Sequence, residues 1–187
     1  MDNTRKIRFL DLSIADQHET EDLIQAFRSH LISGRFLIAD SGEAFEAEFA
    51  DYHRRTCCLG VNSGTDALTI GLRLLNLEPG SYVVTTPFSW IASSTSLMLA
   101  GLKPFFVDIV DDLQIDLDRV DEALTASSGE VSAVLVPHLH GNVSNLTSLV
   151  ALRERHDVRI IEDCAQGFAA RDRSEEHTSE LQSPCNL

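Results

Sequence analysis

From Cys58 onward the chain alternates short apolar runs with amphipathic stretches, and this alternation restricts the fold more than any single residue does. Runs at 58–61, 82–85, 104–107, 133–137 and 158–161 are too short for helices and read as strands buried on both faces. The stretches between them, 66–75, 91–100, 117–125 and 146–156, carry helical spacing, with Asp116 and Asn145 as N-caps of the last two. Strand and helix in strict alternation predict an α/β fold, a mostly parallel sheet with helices on both faces. In such a sheet chemistry gathers at the carboxyl ends of the strands.

The first 57 residues follow a different pattern, that of a helical segment. Leu23, Ile24, Phe27 and Leu31 share one helical face, with Glu19, Glu21 and Asp22 in the first turn. Ser33-Gly34 ends that helix as a C-cap glycine does. A second helix is expected over 41–52, with Phe45 and Phe49 one turn apart and Glu43, Glu46 and Glu48 on a solvated face.

Charge narrows the function classes. A net charge of -14 argues against non-specific nucleic-acid binding, which needs a basic face, and against docking to anionic membranes. No apolar run reaches membrane-spanning length, and the polar start Met1-Asp2-Asn3-Thr4-Arg5-Lys6 lacks the apolar core of a signal peptide. A cytoplasmic location is the expectation. Cys57, Cys58, Cys164 and Cys185 show no CxxC spacing and read as reduced structural thiols.

Five strand ends could carry chemistry. In Gly60-Val61-Asn62-Ser63-Gly64-Thr65-Asp66 a glycine turn opens a helix, and free N–H groups with a positive dipole end suit a phosphate; simple helix capping explains the same residues. In Thr85-Thr86-Pro87-Phe88-Ser89-Trp90 the one tryptophan of the chain lies among small hydroxyl residues, placed to stack on a planar ring or to pack in the core. Asp108 closes an apolar run and suits catalysis or turn capping. His138 and His140 alternate, as a metal pair or as hydrogen-bonding groups; no third ligand is evident, and no metal is expected. Asp163 ends Arg159-Ile160-Ile161-Glu162-Asp163, with Gln166 three residues on; an acid so placed needs a cationic partner or hydrogen bonds.

In this order the segments resemble the DegT/DnrJ/StrS family of pyridoxal-phosphate (PLP) aminotransferases. The resemblance runs from about Phe9 to Ala170, through Phe9-Leu10-Asp11-Leu12, Ser33-Gly34-Arg35-Phe36, Phe45-Glu46-Ala47-Glu48-Phe49-Ala50, Ser63-Gly64-Thr65-Asp66-Ala67-Leu68, Pro87-Phe88-Ser89-Trp90-Ile91-Ala92-Ser93, Pro104-Phe105-Phe106-Val107-Asp108, Pro137-His138-Leu139-His140-Gly141-Asn142 and Glu162-Asp163-Cys164-Ala165-Gln166-Gly167. It implies a PLP-dependent transferase fold of type I. Gly64 and Thr65 would then bind the cofactor phosphate, and Trp90 would stack on the pyridine ring. Asp163 would pair with the ring nitrogen, and Gln166 would bond near the 3-hydroxyl. Gly34 and Phe36 would lie near the sugar pocket. A nucleotide-linked keto sugar and glutamate are the implied substrates, and a homodimer the implied assembly. The chain departs from the family's usual pattern at Ser81-Tyr82, at His140, where tyrosine is usual, and at Cys164, where alanine is usual.

Family members also carry a lysine beyond the Asp-x-x-Gln segment as Schiff-base anchor. This chain has only Lys6 and Lys103, both before Asp163. The segment 173–187 lacks helical or strand periodicity and looks like the translation of a sequencing-adapter oligonucleotide. The expectation is therefore an N-terminal-half fragment with an incomplete PLP-binding large domain over 58–172, a foreign tail over 173–187, and no transamination by the chain as given. The alternatives are a PLP-dependent sugar dehydratase of the same family, in which histidine replaces the lysine, and a truncated, non-catalytic binding or regulatory protein.

Overall fold

The computed structural model describes residues 12–37, 40–127, 129–168 and 170. The chain divides into two compact units, Met1–Cys57 and Cys58–Leu187. In the first, helix α1 (Gln17–Ser33) starts where the Asp16 carboxylate accepts the Glu19 N–H at 2.8 Å. It stops at Gly34, whose φ of 66° is a conformation favouring glycine, and whose N–H donates to the His30 carbonyl at 2.9 Å. Helix α2 (Asp40–Tyr52) stacks Phe45 on Phe49 with ring centroids 5.5 Å apart.

The second unit is built from α3 (Gly64–Leu74), β1 (Tyr82–Thr85), α4 (Ile91–Leu99), β2 (Lys103–Phe106), α5 (Leu117–Ala126), β3 (Val131–Pro137), α6 (Leu146–His156) and β4 (Arg159–Asp163). The four strands pair in parallel in the order β2-β1-β3-β4. Period-two alternation sends successive residues to opposite cores. Val83, Ala133, Leu135 and Ile161 pack with Leu68 and Leu72 of α3 and Leu97 of α4. Val84, Val134, Val136 and Ile160 pack with Val120 and Leu124 of α5 and Leu149 and Leu152 of α6. The sheet is thus covered on both faces, and Asp116 and Asn145 cap α5 and α6.

The expected strand over 58–61 does not form: these residues are coil, and Leu59 is 66% exposed. A strand needs a neighbour to take its ladder hydrogen bonds. Among the described residues β1 and β3 are already paired on both sides, and the 58–61 backbone lies alongside neither edge strand. Edge strand β2 carries Pro104, which cannot donate to a ladder.

Two arginines fix which way the α3/α4 layer points. Arg159, the first residue of β4, donates to the Leu75 carbonyl at 2.5 Å and so ties the end of α3 to the amino end of the sheet. Arg73 donates to the Leu99 carbonyl at 2.9 Å, setting the end of α4 beside it. Both helices therefore begin at the carboxyl ends of the strands.

Candidate active site

At that end the order of strand addition switches between β1 and β3. The strand after β1 is added on one side and β3 on the other, and the helices that follow β1 and β3 pack on opposite faces of the sheet, a topological switch point. Phe88 of the loop after β1 faces His140 of the loop after β3, with ring centroids 6.4 Å apart.

Helix α3 opens onto this end. Ser63 Oγ accepts the Asp66 N–H at 3.1 Å, and the Ala67 N–H reaches the Ser63 carbonyl at 3.0 Å. Asp66 turns its carboxylate back to the Ser63 hydroxyl, 3.0 Å away, which engages that acid in the cap. Among the described residues the N–H groups of Gly64 and Thr65 take no partner, so the two unfilled donors of the first turn belong to these two residues. A Cβ built on Gly64 meets nothing within 4 Å, so the space in front of the turn is open. Uncapped donors and a positive dipole end suit an anion.

Asp163 ends β4 half-buried. Its Oδ1 accepts the Ala165 N–H at 3.1 Å, and its Oδ2 lies 3.5 Å from Ser93 Oγ. Ser93 is fully buried on α4, and its hydroxyl is 2.8 Å from that of Ser89. Trp90, between those serines in sequence, opens α4 and is 72% exposed. Gln166 is exposed in the turn after β4, and its Oε1 accepts the His140 backbone N–H at 3.0 Å. His140 has φ 58°, uncommon outside glycine, which gives the loop after β3 a sharp bend.

Gly64, Thr65, Trp90, Asp163 and Gln166 therefore lie at one end of one sheet. Gly34 and Phe36 belong to the other unit, Gly34 as the cap of α1 and Phe36 60% exposed. Asp108 is a turn residue: its Oδ1 accepts the Ile109 N–H at 2.8 Å and its carbonyl the Asp116 N–H at 3.0 Å. His138 and His140 do not act as a pair. His138 is buried with Nε2 2.9 Å from Glu162 Oε2, while His140 faces Phe88. His138, Glu162 and Cys164 bring potential ligand atoms within 4.8 Å of one another. A metal on His138 Nε2 would force the ring hydrogen onto Nδ1, where it would face the Ser144 N–H. Ser144 N–H donates to Nδ1 at 3.2 Å, so the neutral ring carries its hydrogen on Nε2 and gives it to Glu162. Lys103 lies at the opposite, amino end of the sheet, its Nζ 5.4 Å from the centre of the Tyr82 ring.

Sequence reasoning picked out the serines only as part of a hydroxyl-rich loop and did not link Ser93 to Asp163. The packing of α4 on the sheet, which no local pattern reveals, makes that link. Glu162 was likewise passed over, although its spacing from Asp163 sends the two acids to opposite faces of β4.

The profile of the DegT/DnrJ/EryC1/StrS aminotransferase family matches residues 17–181. The chain belongs to this family. The dTDP-3-amino-3,4,6-trideoxy-alpha-D-glucose transaminase of Streptomyces venezuelae is 36% identical over 171 residues, 91% of this chain and 44% of that protein. The crystal structure of S. venezuelae DesV in complex with a ketimine intermediate matches with a TM-score of 0.78 at 36% identity, covering 87% of this chain and 43% of that one. Bacillus subtilis ntda, solved with bound cofactor pmp, matches with a TM-score of 0.76 at 29% identity, covering 88% of this chain and 38% of that one. The chain spans less than half the length of these relatives.

These matches correct the expectation of a family fragment that stops near residue 172 and gives way to a foreign tail. The family match continues to residue 181 and takes in nearly the whole chain. The residues from 171 on lie outside the described structure. Missing periodicity does not mark a segment as foreign, because native surface segments commonly lack it too. Among the described residues no helix is long and apolar enough to cross a membrane.

Proposed function

We propose that the chain forms the PLP-binding part of an aminotransferase acting on a nucleotide-linked keto sugar, with glutamate as amino donor. The observation that carries this reading is the placement of two uncapped helix N–H groups, at Gly64 and Thr65, and a half-buried acid, Asp163, at one end of one sheet. The named activities of the relatives support the substrate class.

The residues fit the cofactor. Gly64 and Thr65 would hold its phosphate on the first turn of α3, Trp90 would cover one ring face, and Asp163 would keep the ring nitrogen protonated. Gln166 would meet the 3-oxygen. Bound there, PLP supplies an electron sink for the carbon from which a proton is removed. The protein's part is orientation and charge: Ala165 N–H and Ser93 hold the Asp163 carboxylate in place, keeping its negative charge at the ring nitrogen.

Gly34 and Phe36 are proposed to contact the sugar. A homodimer, which the family resemblance implies, and a cytoplasmic location are part of this proposal; the exposed apolar face of α1, with Leu23, Ile24, Phe27 and Leu31 each at least half exposed, is surface of the kind that subunits cover. Calorimetric titration with pyridoxamine 5'-phosphate, which needs no covalent anchor, tests the reading against pyridoxamine without the phosphate. Saturable binding of the first and a large loss with the second is expected; equal binding of both, or of neither, contradicts it.

A further inference from the structure

The Gln166 amide has a defined orientation. Its oxygen accepts the His140 backbone N–H, so its Nε2 is the end left to donate to a ligand's acceptor. The position of that N–H depends on the loop from 138 to 144, and His138 anchors this loop. The ring of His138 is 1% exposed and ties the far side of the bend to β4: Nδ1 accepts from Ser144 N–H at 3.2 Å, and Nε2–H donates to Glu162 Oε2 at 2.9 Å. Its own backbone N–H donates to the Asp163 carbonyl at 3.0 Å. The turn bearing Gln166 rests on the same residue, because a Cβ on Gly167 would lie 3.0 Å from His138 Cβ.

We propose that His138 is a positioning residue: by bracing the loop between Ser144 and Glu162 it fixes the His140 N–H, which turns Gln166 Nε2 toward the 3-oxygen of the cofactor. This rests on the reading of the site as a PLP pocket. His138 touches neither cofactor nor substrate, and it acts through Gln166.

Two readouts on the 187-residue chain test the proposal. The first, free of ligand, is amide hydrogen exchange at His140, with the core amide of Val134 as control. His138→Ala is expected to speed exchange at His140 and not at Val134. His138→Asn, whose oxygen can still accept from Ser144, is expected to restore much of the protection. The second is the ratio of dissociation constants for 3-deoxypyridoxamine 5'-phosphate and pyridoxamine 5'-phosphate. The parent chain is expected to prefer the 3-hydroxyl compound by roughly tenfold, the worth of one good hydrogen bond. In His138→Ala that preference should fall to about one, while a purely structural loss would weaken both ligands alike and leave the ratio unchanged. An unchanged ratio or unchanged His140 exchange in His138→Ala overturns the proposal. If the parent chain binds neither compound, the cofactor reading fails and takes the proposal with it; faster His140 exchange would then identify His138 as a loop anchor only.

Discussion

Asp163 Oδ2 lies 3.5 Å from the hydroxyl of Ser93, although 70 residues separate them in sequence. The contact joins the end of β4 to the first turn of α4, and Ser89 extends it by 2.8 Å toward the Trp90 loop. Asp163→Asn keeps the shape of the acid and removes its charge. It is expected to weaken pyridoxamine 5'-phosphate binding by about 10- to 100-fold, the range of a lost charge-assisted hydrogen bond. Ser93→Ala should weaken it by only a few fold, and Ser93→Thr should restore it. Calorimetric titration of the three variants checks the order.

At the other side of the site, Gly64→Ala separates binding from folding. The added methyl meets no atom within 4 Å, so the thermal midpoint should stay within about 0.5 kcal/mol of the parent in stability terms. Phosphate would meet that methyl in front of the α3 turn. An affinity loss without a stability loss is expected, read by pairing a melting curve with the same titration.

Lys103 sits at the amino end of β2, away from Asp163. Borohydride treatment of the chain in the presence of PLP should therefore not label Lys103 preferentially. Peptide mass mapping gives the answer, and selective labelling of Lys103 would place the cofactor at the wrong end of the sheet.

A pH dependence arises on the opposite face. Asp121 of α5 is bonded at 2.5 Å by His156 and at 2.5 Å by Arg155, both of α6. The His156 bond is the main cause holding the Asp121 carboxyl below its ordinary value; partial burial opposes it, and Arg155 acts in the same direction as His156. A folded-state value below the unfolded one adds stability above the unfolded pKa of about 3.9, and this contribution is lost as pH falls through the folded value. With Asp121 one-third exposed, Asp121→Asn should cost about 0.5 to 1 kcal/mol at neutral pH. The gap should narrow in acid as pH falls through the lowered folded-state value. Urea denaturation at pH 7 and along an acid series measures it.

Much of the α/β unit could be read in advance because buried strands and amphipathic helices have different periods. Tyr82–Thr85 in β1 and the caps Asp116 and Asn145 are residues where local pattern and tertiary structure agree. The 58–61 stretch is where they part: its apolar content resembles a strand, but strand formation depends on a neighbour that local sequence does not reveal. For the site, Gly64, Asp163 and Gln166 announce themselves as turn and strand-end residues. The Ser93–Asp163 and His140–Gln166 contacts do not, because helix packing on the sheet and a left-handed bend at His140 create them.

Trp90 offers the most direct test of the central claim, since it is the only tryptophan of the chain and stands 72% exposed at the strand ends. Its fluorescence should be quenched saturably by pyridoxamine 5'-phosphate, as stacking on the ring requires, and the quenching should shift to much higher concentration in Asp163→Asn. Saturable binding seen by calorimetry with no change in Trp90 emission, or quenching that is identical in Asp163→Asn, would contradict the assignment of this strand end as the cofactor site.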